Sequence, residues 1–159
     1  MEETIRDLLR HAVATIAYRG GKAVRGAPAS FVGFSVGPSS RTAGQILAHI
    51  GDLFDWALSM AEGDTTWRDS TPLAWDAEVA RFHRVLAAFD AYLATGLPLH
   101  EPADRLFQGP IADALTHIGQ LAMLRRLAGA PIKGENYSKA EITSGRVGAE
   151  QSTPRREFD

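Results

Sequence analysis

The chain has 159 residues and a formal charge of −2, from 17 Lys and Arg against 19 Asp and Glu. Hydrophobic residues at 45% and charged residues at 23% are globular proportions, enough for one domain with its own core. There is no cysteine, which excludes disulfides, thiolate zinc sites, iron–sulfur clusters and a cysteine nucleophile, and no basic stripe that would mark nucleic-acid binding.

Four segments carry helical periodicity. The first opens at Glu2 and places Ile5, Leu8, Leu9, Ala12, Val13 and Ile16 on one apolar face. Gly20-Gly21 weakens it, although Lys22 to Arg25 could continue the turn. Residues 26–40 are rich in Pro, Gly, Ala and Ser and read as a long connection, with Phe31, Val32, Phe34 and Val36 forming one short extended piece. A connection of that length suits a crossover between parallel neighbours.

The second helix starts at Thr42, which has capping-box spacing to Gln45, and Gly63 is placed to close it. The third is expected from Thr71-Pro72, with Trp75, Val79, Phe82, Leu86, Phe89 and Leu93 as a heptad seam and Gly96-Leu97-Pro98 as its end. A short helical turn near Ala103 to Phe107 precedes the fourth, which runs from Ile111 to about Ala128 with Gly129 as its cap. Arg125 and Arg126 suit the negative end of that helix dipole. The expected architecture is all-α, a four-helix bundle over residues 1–130. An irregular tail, residues 131–159, either packs on it or is disordered. No basic leader and no apolar run of ~18 residues is visible, so the expected location is cytoplasmic, with no membrane partner and no nucleic-acid partner.

The fourth helix is apolar nearly all round, the pattern of a helix buried on most sides. One stripe nevertheless holds Asp113, His117 and Gln120, spaced four and three apart and hence on one face. His49 borders the apolar face of the second helix. If the two helices are neighbours, His49, Asp113 and His117 form a set of two imidazoles and a carboxylate suited to Zn²⁺, Fe²⁺ or Ni²⁺. Spacing alone favours the plainer readings, an intrahelical Asp–His ion pair and an ordinary edge histidine. His11 reads as exposed, His83 as packing beside the seam, and His100 as a loop residue.

Two stretches carry a resemblance. Arg41-Thr-Ala-Gly-Gln-Ile-Leu-Ala-His-Ile and Ile111-Ala-Asp-Ala-Leu-Thr-His-Ile-Gly-Gln look like the two signatures of the DinB-like (YfiT-like) family. The resemblance spans roughly residues 2 to 130 and implies a four-helix bundle, often dimeric, with a divalent ion between the helices. Family ligands are typically one His from the second helix and two His, four apart, before a Gly-Gln pair. His49 and His117 match the first and last. Asp113 stands where the family more commonly has His. It is either a carboxylate ligand or the remnant of a decayed site, paired with His117.

The resemblance implies zinc, with nickel or iron as alternatives. It also implies a metal-dependent transferase or isomerase acting on a small molecule with a low-molecular-weight thiol, as in mycothiol-dependent maleylpyruvate isomerases and bacillithiol or glutathione S-transferases. A chain without cysteine must take that sulfur from its cosubstrate. Trp56 would wall the pocket, Gln120 would contact ligand or substrate, and Tyr137 and Asn136 would fold over the mouth. The alternatives are a binding protein without turnover on the same bundle, and a hydrolase using metal-bound water.

Overall fold

The structure, a computed structural model, describes residues 1–158. It is mostly helical. Four long helices surround one core: α1 (Glu2–Val24), α2 (Ala43–Glu62), α3 (Trp75–Leu93) and, after the single turn α4 (Ala103–Leu106), α5 (Ala112–Leu127). Helices α1 and α2 each pack on both α3 and α5, so α1 lies diagonally from α2.

Side-chain contacts set the directions. Arg81 of α3 meets Ala48 and Asp52 of α2, while Tyr92 reaches the carbonyl of Ala61, so α2 and α3 run parallel. Helix α1 opposes α3, with Arg10 on Asp90 and Gly20 against Phe82. Helix α5 opposes α2, with His49 beside Asp113 and Trp56 beside Gly109. The parallel crossover is therefore not the 26–40 segment but residues 63–74, which return along α2. Thr66 donates its N–H to Ser59 Oγ, Ser70 to Asp52 Oδ2 and Leu73 to Glu78 Oε2, so each backbone anchor of the returning strand lies further back along the pair.

The ends of α2 are as expected. Thr42 accepts from the Gln45 N–H at 3.1 Å, and the Gln45 side chain answers on the Thr42 N–H at 2.8 Å. Gly63 closes the helix with φ at 83°, a left-handed conformation that costs glycine little.

Other expectations need correction. Residues 29–33 form a 3₁₀ turn and not an extended piece; it inserts Phe31 into the core against Trp75, at 5.1 Å between ring centroids. Helix α3 starts at Trp75, because Thr71 and Pro72 belong to the crossover. Gly109-Pro110 does not begin a helix. It lies inside one, since residues 107–111 are a π-helical stretch that joins α4 to α5. The wide turn accommodates a proline that a regular α-helix would reject. Ile5 and Leu8 are exposed, leaving Leu9, Val13 and Ile16 to carry the α1 core face.

Helix α1 continues through its glycine pair because α3 presses there. A Cβ on Gly20 would lie 2.6 Å from Phe82 Cζ, whereas one on Gly21 would meet nothing closer than 3.6 Å. The tail packs on the bundle. Strand β1 (Gly134–Glu135) pairs antiparallel with β2 (Glu157–Phe158), and Glu135 takes a 2.8 Å hydrogen bond from Tyr18 of α1. Lys22 reaches Glu157 at 2.8 Å, and Val147 is buried with its carbonyl on His83 Nδ1 at 3.2 Å.

In urea denaturation, Gly20→Ala is expected to lose about 1–3 kcal/mol through overpacking, while Gly21→Ala is neutral or gains up to about 1 kcal/mol of helix propensity. Burial holds the His83 imidazole below its ordinary 6.5, with Arg25 adding to the effect and the Val147 carbonyl opposing it. The unfolded chain therefore takes the proton first, and stability falls as pH drops below about 6.5. His83→Gln should reduce that loss between pH 7 and 5; an unchanged pH dependence would assign it to other groups.

Candidate metal centre

The α2–α5 seam brings the three sequence-predicted ligands together. The capping box starts α2 so that His49, seven residues beyond Thr42, lies on the seam beside α5. Asp113 and His117 are one turn apart on α5, immediately after the π-helical stretch. One donor atom from each of His49, Asp113 and His117 lies within 4.8 Å of the others.

His49 Nε2 is 3.5 Å from Asp113 Oδ2, and His117 Nε2 is 3.4 Å from Asp113 Oδ1. Both separations exceed a good N–H···O hydrogen bond, which has its mode near ~2.9–3.0 Å. They run to different oxygens of the one carboxylate, which therefore spans the gap between the two rings. The imidazole rings stand perpendicular, with centroids 4.7 Å apart, so both present an edge nitrogen to the shared carboxylate. The His49 and His117 side chains are 18% and 12% exposed and Asp113 is 45% exposed, which leaves one open side toward solvent.

Gln120 sets the state of His117. Its Oε1 lies 2.7 Å from His117 Nδ1 and can only accept, so Nδ1 donates to it and Nε2 is the ring nitrogen turned toward Asp113. The surroundings of His49 favour its neutral form. Burial is the main cause of its lowered pKa, followed by the positive potential of His117 and Arg41, which together outweigh Asp113. A neutral imidazole is the form that binds a metal. The donor set offers two ring nitrogens and a carboxylate to a divalent ion.

Trp56 lines a cleft of about 430 Å³ shared with Gln108, Gly109, Asp113 and Thr116. Tyr137 does not join the site. It packs edge-on against Tyr18 and places its ring 4.2 Å from the Arg19 guanidinium, so the tail covers α1 and not the α2–α5 seam. Trp67 takes the place envisaged for a covering residue. It stands edge-on to His49 at 5.6 Å and to Trp56 at 5.8 Å. Its only sequence signal is a lone tryptophan in a polar stretch. Arg41, one residue before the Thr42 cap, flanks the site as well.

Helix α5 is less enclosed than its composition suggested. Ala114, Ile118, Leu121 and Leu124 are buried, but Met123 and Leu127 are exposed beside Val36. These three line a groove of about 690 Å³ that reaches His117. No family model matches the chain, and neither does any curated protein or solved structure.

Zinc titration in competition with a chromophoric chelator tests the donor set. His49→Ala and His117→Ala should each weaken zinc by more than the 10–100-fold typical of losing an outer hydrogen-bond partner, and Gln120→Ala should fall within about that range. Asp113→His should retain or tighten binding. Parental affinity in Asp113→Ala would remove the carboxylate from the ligand set.

Proposed function

We propose that this chain is a DinB-like divalent-metal-binding protein that acts as a transferase or isomerase on small molecules, with a low-molecular-weight thiol as cosubstrate. The observation that carries the reading is the convergence of two imidazole nitrogens on one carboxylate at 3.4 and 3.5 Å, with Gln120 engaging the other ring nitrogen of His117. Zinc suits the nitrogen and oxygen donors best, with nickel and ferrous iron as alternatives.

A bound divalent ion supplies Lewis acidity, lowering the pKa of the water or thiol it meets. The chain's own residues do the rest. His49 and His117 would supply ring nitrogens, and Asp113 a carboxylate on the solvent side. Trp67 and Trp56 form an aromatic wall that keeps water from one flank of His49. Gln120 holds the His117 ring against rotation. Because the chain has no cysteine, the sulfur of any thiol transfer comes with the cosubstrate.

Protein purified without chelators or nickel resin should carry about one equivalent of metal per chain or take it up from added zinc. Less than a few tenths of an equivalent, unchanged by added zinc, would overturn the reading. Thiol consumption by the zinc form should then be detectable with bacillithiol, mycothiol or glutathione against a panel of electrophiles, and should vanish in His117→Ala. Full occupancy without turnover would instead make this a binding protein. Ester or amide cleavage that needs no thiol would make it a hydrolase.

A further inference from the structure

The groove beside His117 has a chemical polarity of its own. Its body is apolar, formed by Ile46 of α2, Leu124 of α5 and three side chains that stand 55–59% exposed: Val36, Met123 and Leu127. Its polar groups are mainly Arg41, His117, Gln120 and hydroxyls of Ser40 and Thr116. No carboxylate lines it, although the chain as a whole is acidic. Arg41 forms no ion pair and no side-chain hydrogen bond among the described residues, while the buried Arg6, Arg81 and Arg125 are all committed to protein partners. The tail, which could have covered such a surface, is spent on α1.

A volume of about 690 Å³ is that of a small-molecule site. One guanidinium in an apolar surround matches a single carboxylate, which its planar fork can bind through two hydrogen bonds. A phosphate monoester, with about two charges, would leave one of them unmatched by the single guanidinium. We infer that the groove binds an apolar monocarboxylate, its aryl or short acyl body along Met123 and Leu127 and its carboxylate at Arg41. This deepens the metal-centre reading by naming the substrate class, and it rests on that reading for the chemistry after binding but not for binding itself.

The test is calorimetric titration of zinc-loaded and chelator-treated protein with 4-phenylbutyrate and with its neutral amide. The acid is expected to bind both forms saturably, and the amide about 10-fold more weakly, as for loss of a charged hydrogen bond. Arg41→Gln should erase the difference between the two. Met123→Glu should weaken the acid at least as much while zinc affinity is unchanged; both side chains are exposed, so folding is not at stake. No saturable binding up to about 10 mM would overturn the proposal. So would equal affinity for acid and amide, or a dimer in sedimentation that Met123→Glu disperses, which would make the groove a contact between copies. Acid binding to protein that takes up no zinc would sink the metal reading alone, and zinc uptake without acid binding would sink this one alone.

Discussion

A single buried guanidinium holds the arrangement on which the rest depends. Arg81 donates to Asp52 and Asp55 at 2.7 Å, to Ser70 Oγ at 3.0 Å, to the Ala48 carbonyl at 3.1 Å and to Glu78 at 3.3 Å. Burial disfavours its charge, yet the hydrogen bonds to Asp52 and Asp55 raise its pKa above the ordinary value. Those partners belong to α2, to α3 and to the crossover between them. Parallel neighbours cannot be joined by a tight turn, so a stretch of chain must travel back the length of the pair. Arg81 and its carboxylates fix where it travels. Because Ser70 is tied to Asp52, Trp67 comes to rest on His49. Removing one partner of such a buried pair typically costs about 3–5 kcal/mol, since the remaining charge is left uncompensated.

The same device recurs at both ends of the bundle. Arg6 donates to the carbonyls of Thr95 and Leu97 beyond α3, and Arg125 to those of Ala23 and Arg25 at the end of α1. Free carbonyls at helix ends need donors, and a guanidinium can serve two or three at once. A chain without cysteine thus closes its loops with arginine. Arg125 shows how partial a linear reading is. Its place near the end of α5 suggested a dipole contact, but its larger task is to join that end to α1.

Features written in short-range chemistry were legible. Thr42 with Gln45 and Gly63 are local signals, and they bound α2 as expected. The spacing of Asp113, His117 and Gln120 put them on one face, and the apolar stripe of α2 put His49 next to it. Features that depend on distant partners were not. Nothing near Gly20 announces the Phe82 ring that requires it. Gly109-Pro110 reads as a break by every local rule, and only packing of α4 and α5 on the same neighbours explains why the helix continues. Ile5 and Leu8 fit the α1 pattern but lie beyond the reach of α3 and α5. Trp67 and Arg41 belong to the site through the fold of the crossover and the cap, which periodicity does not encode.

The π-helical stretch bears on how this centre could arise or vanish. A π turn holds more residues than an α turn over the same length, and each residue of an α-helix advances about 100° around the axis. Leu106, before the stretch, is fully buried, and Asp113 and His117, after it, face His49. Both placements hold at once because the π turn absorbs the extra residue between them. Deleting one residue there would let the segment rewind as α-helix with both ends still in phase. Rewinding it at its present length would instead swing one end by roughly a quarter turn, so that either the core keeps Leu106 or the seam keeps its donors. The geometry of the candidate centre thus depends on the winding of five residues that contribute none of its donors.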